Sequence, residues 1–257
     1  MLVLLSCAKT MSAVSKVKVP LTTSPRFQKE AAEIALQMSQ FSVDELERLL
    51  RVNAKIAVEN YKRYQAFHAE ATPELPALLA YTGIVFKRLN PKDFSAEDFG
   101  YAQEHLRLTS FCYGLLRPLD VIRAYRLEGD VVLPELGNQT LFSYWRSRLT
   151  DTFIEDIRSA GGILCNLASD EMKSLFDWKR VESEVRVVTP EFHVWKNGKL
   201  ATIVVYTKMS RGEMTRFILK NKIGNPEELK GFSWEGFEFD ESLSDERKLV
   251  FINGIGE

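Results

Sequence analysis

A chain of 257 residues, 45% hydrophobic and 27% charged, is too apolar to be intrinsically disordered and long enough to bury a sizeable core. Its formal charge of −1 and isoelectric point near 6.4 exclude a protein drawn to nucleic acid or anionic membrane by an overall positive field, so any phosphate-binding surface must be a local basic cleft. Three cysteines far apart in sequence (Cys7, Cys112 and Cys165) argue against a disulfide framework, and His68, His105 and His193 have no metal-ligand spacing.

Leu2 to Leu5 is wholly apolar and reads as a buried strand that ends in Ser6, Cys7, Ala8, Lys9 and Thr10. The LLSC string lacks a basic segment before it and a long apolar run, so export is rejected, and with no bilayer-spanning run the expected location is cytoplasmic. Helices are expected at 26–40 and 43–67, the second opened by a Ser42/Glu45 capping box, with Leu46, Leu49, Leu50, Ile56, Ala57 and Tyr61 as its packed stripe. Between residues 77 and 89, helix and strand are hard to separate.

Ser95 caps the central helix, with Asp98 in its first turn, and the reading continues that helix to Arg117, where Pro118 stops it. On such a helix Arg107, Ser110, Gly114 and Arg117 share one narrow sector amid apolar neighbours. A buried guanidinium needs a partner, either a bound anion or an internal network with Asp120, Glu104 and Glu128. Arg117 and Asp120 sit side by side in the turn, followed by Arg123, Tyr125 and Arg126. Tyr113 and Tyr125 could hydrogen-bond a ligand, although core packing is the commoner role.

Residues 141–157 read as an amphipathic helix and 162–167 as a second buried strand leading through Ser169 and Asp170 into a helix. A third strand covers 185–189. Strands at 192–195 and 200–206 flank Asn197-Gly198, a strong hairpin signal, and the last of them ends in Lys208 and Arg211. A helix at 212–223 stops at Gly224, Asn225-Pro226 opens another, and a terminal hairpin turns around 242–247. With neither repeats nor a linker, one α+β domain is expected, a mixed β-sheet surrounded by helices.

Two apolar strands and one hairpin arm thus finish in Ser6 and Lys9, Ser169 and Asp170, and Lys208 and Arg211. If those ends share one edge of the sheet they form a crevice able to hold an anion, with the Arg107/Arg117 stripe as its wall. Cys7 or Cys112 beside a cation would be an activated thiolate, though packing is the favoured role for both. There is no nucleophile elbow, Walker loop or dinucleotide fingerprint, so a non-catalytic role is favoured over an enzyme using Lys9 or Asp170 on a small phosphorylated or carboxylated metabolite. No metal or cofactor is expected, and a monomer is.

The strings SCAKT, YTGIVFKRL, FGYAQEHLRLTSFCYGLLRPLDVIRAYRLE, NLASDE and SRGEMTRFILKNKIGNPEELKGFSWEGFEFDE resemble the bacterial YaaA family from first strand to terminal hairpin. The resemblance implies a cytosolic peroxide-stress protein that limits damage driven by free iron. It also implies a compact α+β fold with a positively charged cleft and a helix-hairpin-helix-like element suited to double-stranded or branched DNA. That element corresponds to 216–229, with Arg216, Lys220, Lys222 and Gly224 as its DNA-binding residues. Two departures stand out: Cys7 replaces the proline of the family's SPAK signature, and Thr82 and Ile84 replace a lysine and an aspartate of a second string.

Overall fold

The computed structural model describes residues 1–196 and 198–254. In chain order it runs β1 (Leu2–Leu5), α1 (Gln28–Met38), α2 (Val43–Leu50), α3 (Ala54–Ala66), β2 (Glu74–Pro76), α4 (Ala77–Ala80), α5 (Ile84–Leu89), α6 (Ala96–His105), β3 (Leu106–Ser110), β4 (Gly114–Leu116) and β5 (Val121–Arg123). It continues with β6 (Val132–Leu133), β7 (Gln139–Thr140), α7 (Leu141–Ser159), β8 (Ile163–Asn166), α8 (Asp170–Lys173), α9 (Trp178–Glu184), β9 (Arg186–Lys196), β10 (Lys199–Ala201), α10 (Val204–Asn221), β11 (Phe237–Asp240) and β12 (Lys248–Asn253).

The architecture is α+β around one mixed eight-stranded sheet of order β11-β12-β9-β8-β1-β3-β4, with β10 paired to β9. Its five middle strands, β12, β9, β8, β1 and β3, are parallel, and antiparallel partners close both edges. β1 is buried at every position because it is central, and such strands need continuous rather than alternating apolar residues. The chain leaves β1 toward β3 on one side and leaves β8 toward β9 on the other. Two neighbouring strands whose connections diverge leave a crevice outside their carboxyl ends.

Local signals are realised where side chains satisfy their own backbone. Ser42 and Glu45 form the capping box of α2, and Ser95 and Asp98 that of α6. The expected helix at 43–67 is broken, because Arg51 takes a left-handed conformation and Asn53 caps a new helix, α3. The terminal hairpin is present as β11/β12. The ambiguous stretch at 77–89 resolves into two short helices, α4 and α5.

Two expectations are overturned. The helix read from Ser95 to Arg117 ends at His105, and Leu106–Ser110 is instead a fully buried strand beside β1. An apolar run of that length suits either conformation, and the open edge of β1 selects the strand. Gly114 is therefore not a helix-interior glycine. It has φ +70° and opens β4, where an added Cβ would lie 2.7 Å from the Trp145 ring.

The second correction concerns residues 200–206 and the helix expected from 212. β10 stops at Ala201 and α10 begins at Val204, so Lys208 and Arg211 stand on a helix and not at a strand end. The β-branched Ile203, Val204 and Val205 favour strand locally, but α10 buries Met214, Ile218 and Leu219 and packs on α5. Gly212 permits that approach, since a Cβ there would collide with the Val85 carbonyl. Asn197 lies outside the described residues; β9 and β10 flank it as an antiparallel pair.

Candidate functional site

A cavity of about 320 Å³ opens at the carboxyl ends of β1 and β8. The segment after β1 contributes Ser6, Cys7, Lys9 and Thr10, and the segment after β8 contributes Ser169, Glu171 and Met172. Tyr125 and Arg126 follow β5, and α10 supplies Lys208 and Arg211. The sheet thus brings together seven residues singled out in the sequence: Ser6, Lys9, Tyr125, Arg126, Ser169, Lys208 and Arg211. The walls are mainly apolar, formed by Ile84, Val85, Phe86, Phe111, Leu127 and Leu167.

The polar floor is tied together. The Ser6 hydroxyl accepts from the Ser169 amide at 2.9 Å, which joins the two strand ends. The Tyr125 hydroxyl lies 2.8 Å from that of Tyr81 and 2.6 Å from Ser110 Oγ. Burial raises the pKa of both tyrosines well above its ordinary value, so the hydroxyls stay protonated and hold this wall as neutral groups. Ser110 itself is wholly buried and also accepts from the Tyr113 amide, while the Tyr113 hydroxyl accepts from the Arg123 amide at 3.0 Å. Ser110 and Tyr113 therefore build the core beneath the cavity.

The cations differ in how they are neutralised. Lys9 Nζ donates to Glu128 at 2.7 Å, and Arg126 lies 3.6 Å from the other oxygen of the same buried carboxylate. Arg211 has no ion pair among the described residues, and its buried Nε has no hydrogen-bond acceptor. Burial lowers the pKa of Arg211, an effect only partly opposed by Asp170. Lys208, one helical turn before Arg211, is exposed at the mouth and has no carboxylate partner among the described residues.

Arg107 and Arg117 stand away from this cavity, so the expected arginine wall is not formed. Arg107, on β3, donates to Asp156 at 2.6 Å and to the carbonyls of Gln103 and Leu106. Arg117 is held by Asp120 at 2.9 Å and by the Ser24 carbonyl. Both guanidiniums serve internal ion pairs; Asp156 was missed because only the packing of α7 brings it to β3. Asp170 faces solvent and pairs with Lys173, whose hydrogen bond lowers its pKa. Neither Asp170 nor the Glu128-bound Lys9 offers a free base to the cavity.

The cations expected to contact DNA also have internal partners. Arg216 donates to Asp93 at 2.5 Å, Lys220 to Asp98 at 2.7 Å, and Lys222 to Glu97. Lys222, not Gly224, adopts the left-handed conformation that ends α10, and a 3-10 helix over Pro226–Gly231 follows. The sequence reading missed Ile84, Phe86, Phe111 and Glu171 as lining residues. Its available signal was Gly83, where an added Cβ would meet Ala8 Cβ at 2.8 Å and push α5 away from the crevice.

The thiols are poor nucleophiles. Burial pushes Cys7 up to about 12, opposed in part by a hydrogen bond with Thr109. Cys112 is raised further by burial alone, and Cys165 reaches about 12. We expect alkylation of the native protein at pH 7.5 to be slow at all three positions; rapid modification of Cys7 by iodoacetamide would refute this.

No helix among the described residues is long and apolar enough to cross a membrane. A family model described as peroxide stress protein YaaA matches residues 1–243. Proteins named UPF0246 are similar over nearly the whole chain. One from Bacteroides thetaiotaomicron is 99% identical over 257 residues, covering 100% of both chains. One from Phocaeicola vulgatus is 63% identical over 251 residues, covering 98% of each. One from Crocosphaera subtropica is 38% identical over 253 residues, covering 98% of this chain and 100% of its own. A match from the first strand through the terminal hairpin, including every segment around the crevice, means that the chain belongs to the YaaA/UPF0246 family of peroxide stress proteins.

Proposed function

We propose that this chain serves the peroxide-stress response by binding a negatively charged group in the crevice between the ends of β1 and β8. Arg211 is the observation that supports this best. A half-buried guanidinium without a carboxylate is costly in the free protein, and an anion from outside would offset that cost. A small phosphorylated or carboxylated ligand suits the enclosed, mainly apolar cavity. Binding by itself requires no catalytic group, so a non-enzymatic role remains the first choice.

Double-stranded or branched DNA is the second reading, favoured by the exposed side chains of Lys9 and Lys208 at the mouth. Lys208 carries this reading, since Lys9, like Arg216, Lys220 and Lys222 near the turn at Gly224, already has a carboxylate partner. Limiting iron-driven damage is proposed to follow from occupancy of this site in the cytoplasm. Among the described residues no three His, Cys, Asp or Glu side chains are grouped to hold a metal ion.

Phosphate titrations by calorimetry, with and without Lys208→Ala, test the reading, and a fluorescent duplex tests its second form. Phosphate affinity is expected to fall about tenfold in the variant, the effect of one charge-assisted contact. Duplex binding, if present, should weaken steeply between 50 and about 200 mM salt. Phosphate affinity unaffected by Lys208→Ala would overturn the proposal. Loss of duplex binding in Arg216→Ala alone would move the DNA contact to the end of α10.

A further inference from the structure

The crevice is larger than an anion requires, and its composition describes the remainder of the ligand. Four cations line it, Lys9, Arg126, Lys208 and Arg211, along with one carboxylate, Glu171. Glu128 is engaged by Lys9 and Arg126. That leaves Lys208 and Arg211 without an ion pair among the described residues, three residues apart on α10 and thus on the same face. Two cations without an ion pair on one helical turn, Arg211 only weakly offset by the solvent-facing Asp170, match a doubly charged phosphate better than a single carboxylate.

A phosphate alone would leave most of the cavity empty and its apolar walls wet. Those walls include Phe86 and Phe111 together with Ile84, Leu127 and Leu167. Ser6, Thr10 and Ser169 place hydroxyls along the same lining. An apolar face bordered by donors and acceptors is what a flat heterocycle needs, since its faces are apolar and its edge is polar. At about 320 Å³ the space is at the small end of ligand cavities, which run from about 300 to 1,000 Å³, so it admits one such unit and not two. Glu171 on the wall disfavours a longer polyphosphate.

We propose that the crevice binds one nucleoside monophosphate unit, its phosphate on Lys208 and Arg211 and its base against Ile84, Phe86 and Phe111. This rests on the anion site proposed above and adds the body of the ligand. The unit has two possible sources, a free nucleotide or an unstacked nucleotide of a DNA strand. Extruding a base from a duplex is least costly where the base is already unpaired.

The test is calorimetry on the full chain with the four deoxynucleoside 5′-monophosphates, their nucleosides and inorganic phosphate. At least one monophosphate is expected to bind about tenfold more tightly than both its nucleoside and phosphate. Ile84→Trp, which fills the cavity without changing charge, should remove that gain and leave phosphate binding intact. Competition between the monophosphate and a duplex carrying one bulged nucleotide, but not a fully paired duplex, identifies DNA as the source; no competition identifies the free nucleotide. Phosphate binding as tightly as every monophosphate would overturn this inference and leave the anion site standing, whereas no binding of any anion would end both. The wild-type comparison decides the matter even if Ile84→Trp does not fold.

Discussion

Arg211→Met is expected to make the ligand-free protein more stable while abolishing anion binding. Methionine is similar in length, is apolar, and suits the half-buried position on α10 beside Met214 and the wall of the cavity. It removes a charge that has neither an ion pair nor an acceptor for its buried Nε among the described residues. Replacing poorly compensated buried charge by a packed apolar side chain stabilises by about 1–3 kcal/mol, which for a chain of this size raises Tm by about 2–4 °C per kcal/mol. Thermal melts with and without saturating phosphate measure both effects. The variant should start higher and show no ligand-induced rise, whereas the wild type should start lower and rise. A fall in the ligand-free Tm would mean that Arg211 is a structural residue, and the anion site would lose its main support.

Asp120→Ala should have the opposite signature, a severe loss of stability with no direct effect on the crevice. Asp120 is 1% exposed, and its carboxylate accepts from Thr23 Oγ1 at 2.6 Å, the Arg117 amide at 2.8 Å and the Arg117 guanidinium at 2.9 Å. Its carbonyl also accepts from the Ala77 amide, so one residue joins the N-terminal segment, α4 and the turn after β4. Removing one member of a buried charge network costs about 3–5 kcal/mol because the remaining partners are left unsatisfied. Urea denaturation should show a lower midpoint at unchanged slope. Arg117→Met should cost less, since its side chain is 34% exposed and reaches water. The double variant should lose less than the sum of the two single losses. A midpoint for Asp120→Ala within error of wild type would refute the assignment of Arg117 to structure.

These contrasting arginines show how far a linear reading reaches. The need for a partner is legible in sequence at Arg107, which is buried, and at Arg117, which is half-buried, as is the choice between an outside anion and an internal acid. Arg117 finds the acid three residues away, which sequence can see. Arg107 finds Asp156, 49 positions distant, and only the placement of α7 against β3 makes that pair. In sequence Arg211 follows an expected strand; its lack of an ion pair among the described residues depends on the helix that carries it.

Features governed by neighbours in the chain could be read directly. The Ser42/Glu45 and Ser95/Asp98 caps, the apolar β1 and β8, and the terminal hairpin all depend on backbone satisfaction or burial over a few residues. The convergence of the segments after β1 and β8 was legible as a condition, since it required only that the strands be parallel. Leu106–Ser110 and Val204–Tyr206 were misread for a common reason: the conformational preference of a short apolar or β-branched run is worth less than the free energy of the surface it meets. Beside β1 that surface is an unpaired row of backbone donors and acceptors, which makes a strand; beside α5 it is the groove opened by Gly212, which makes a helix. Amino-acid order therefore defined the pieces and the charges that required partners, while the pairing of distant segments chose which charges were neutralised and which were left facing the crevice.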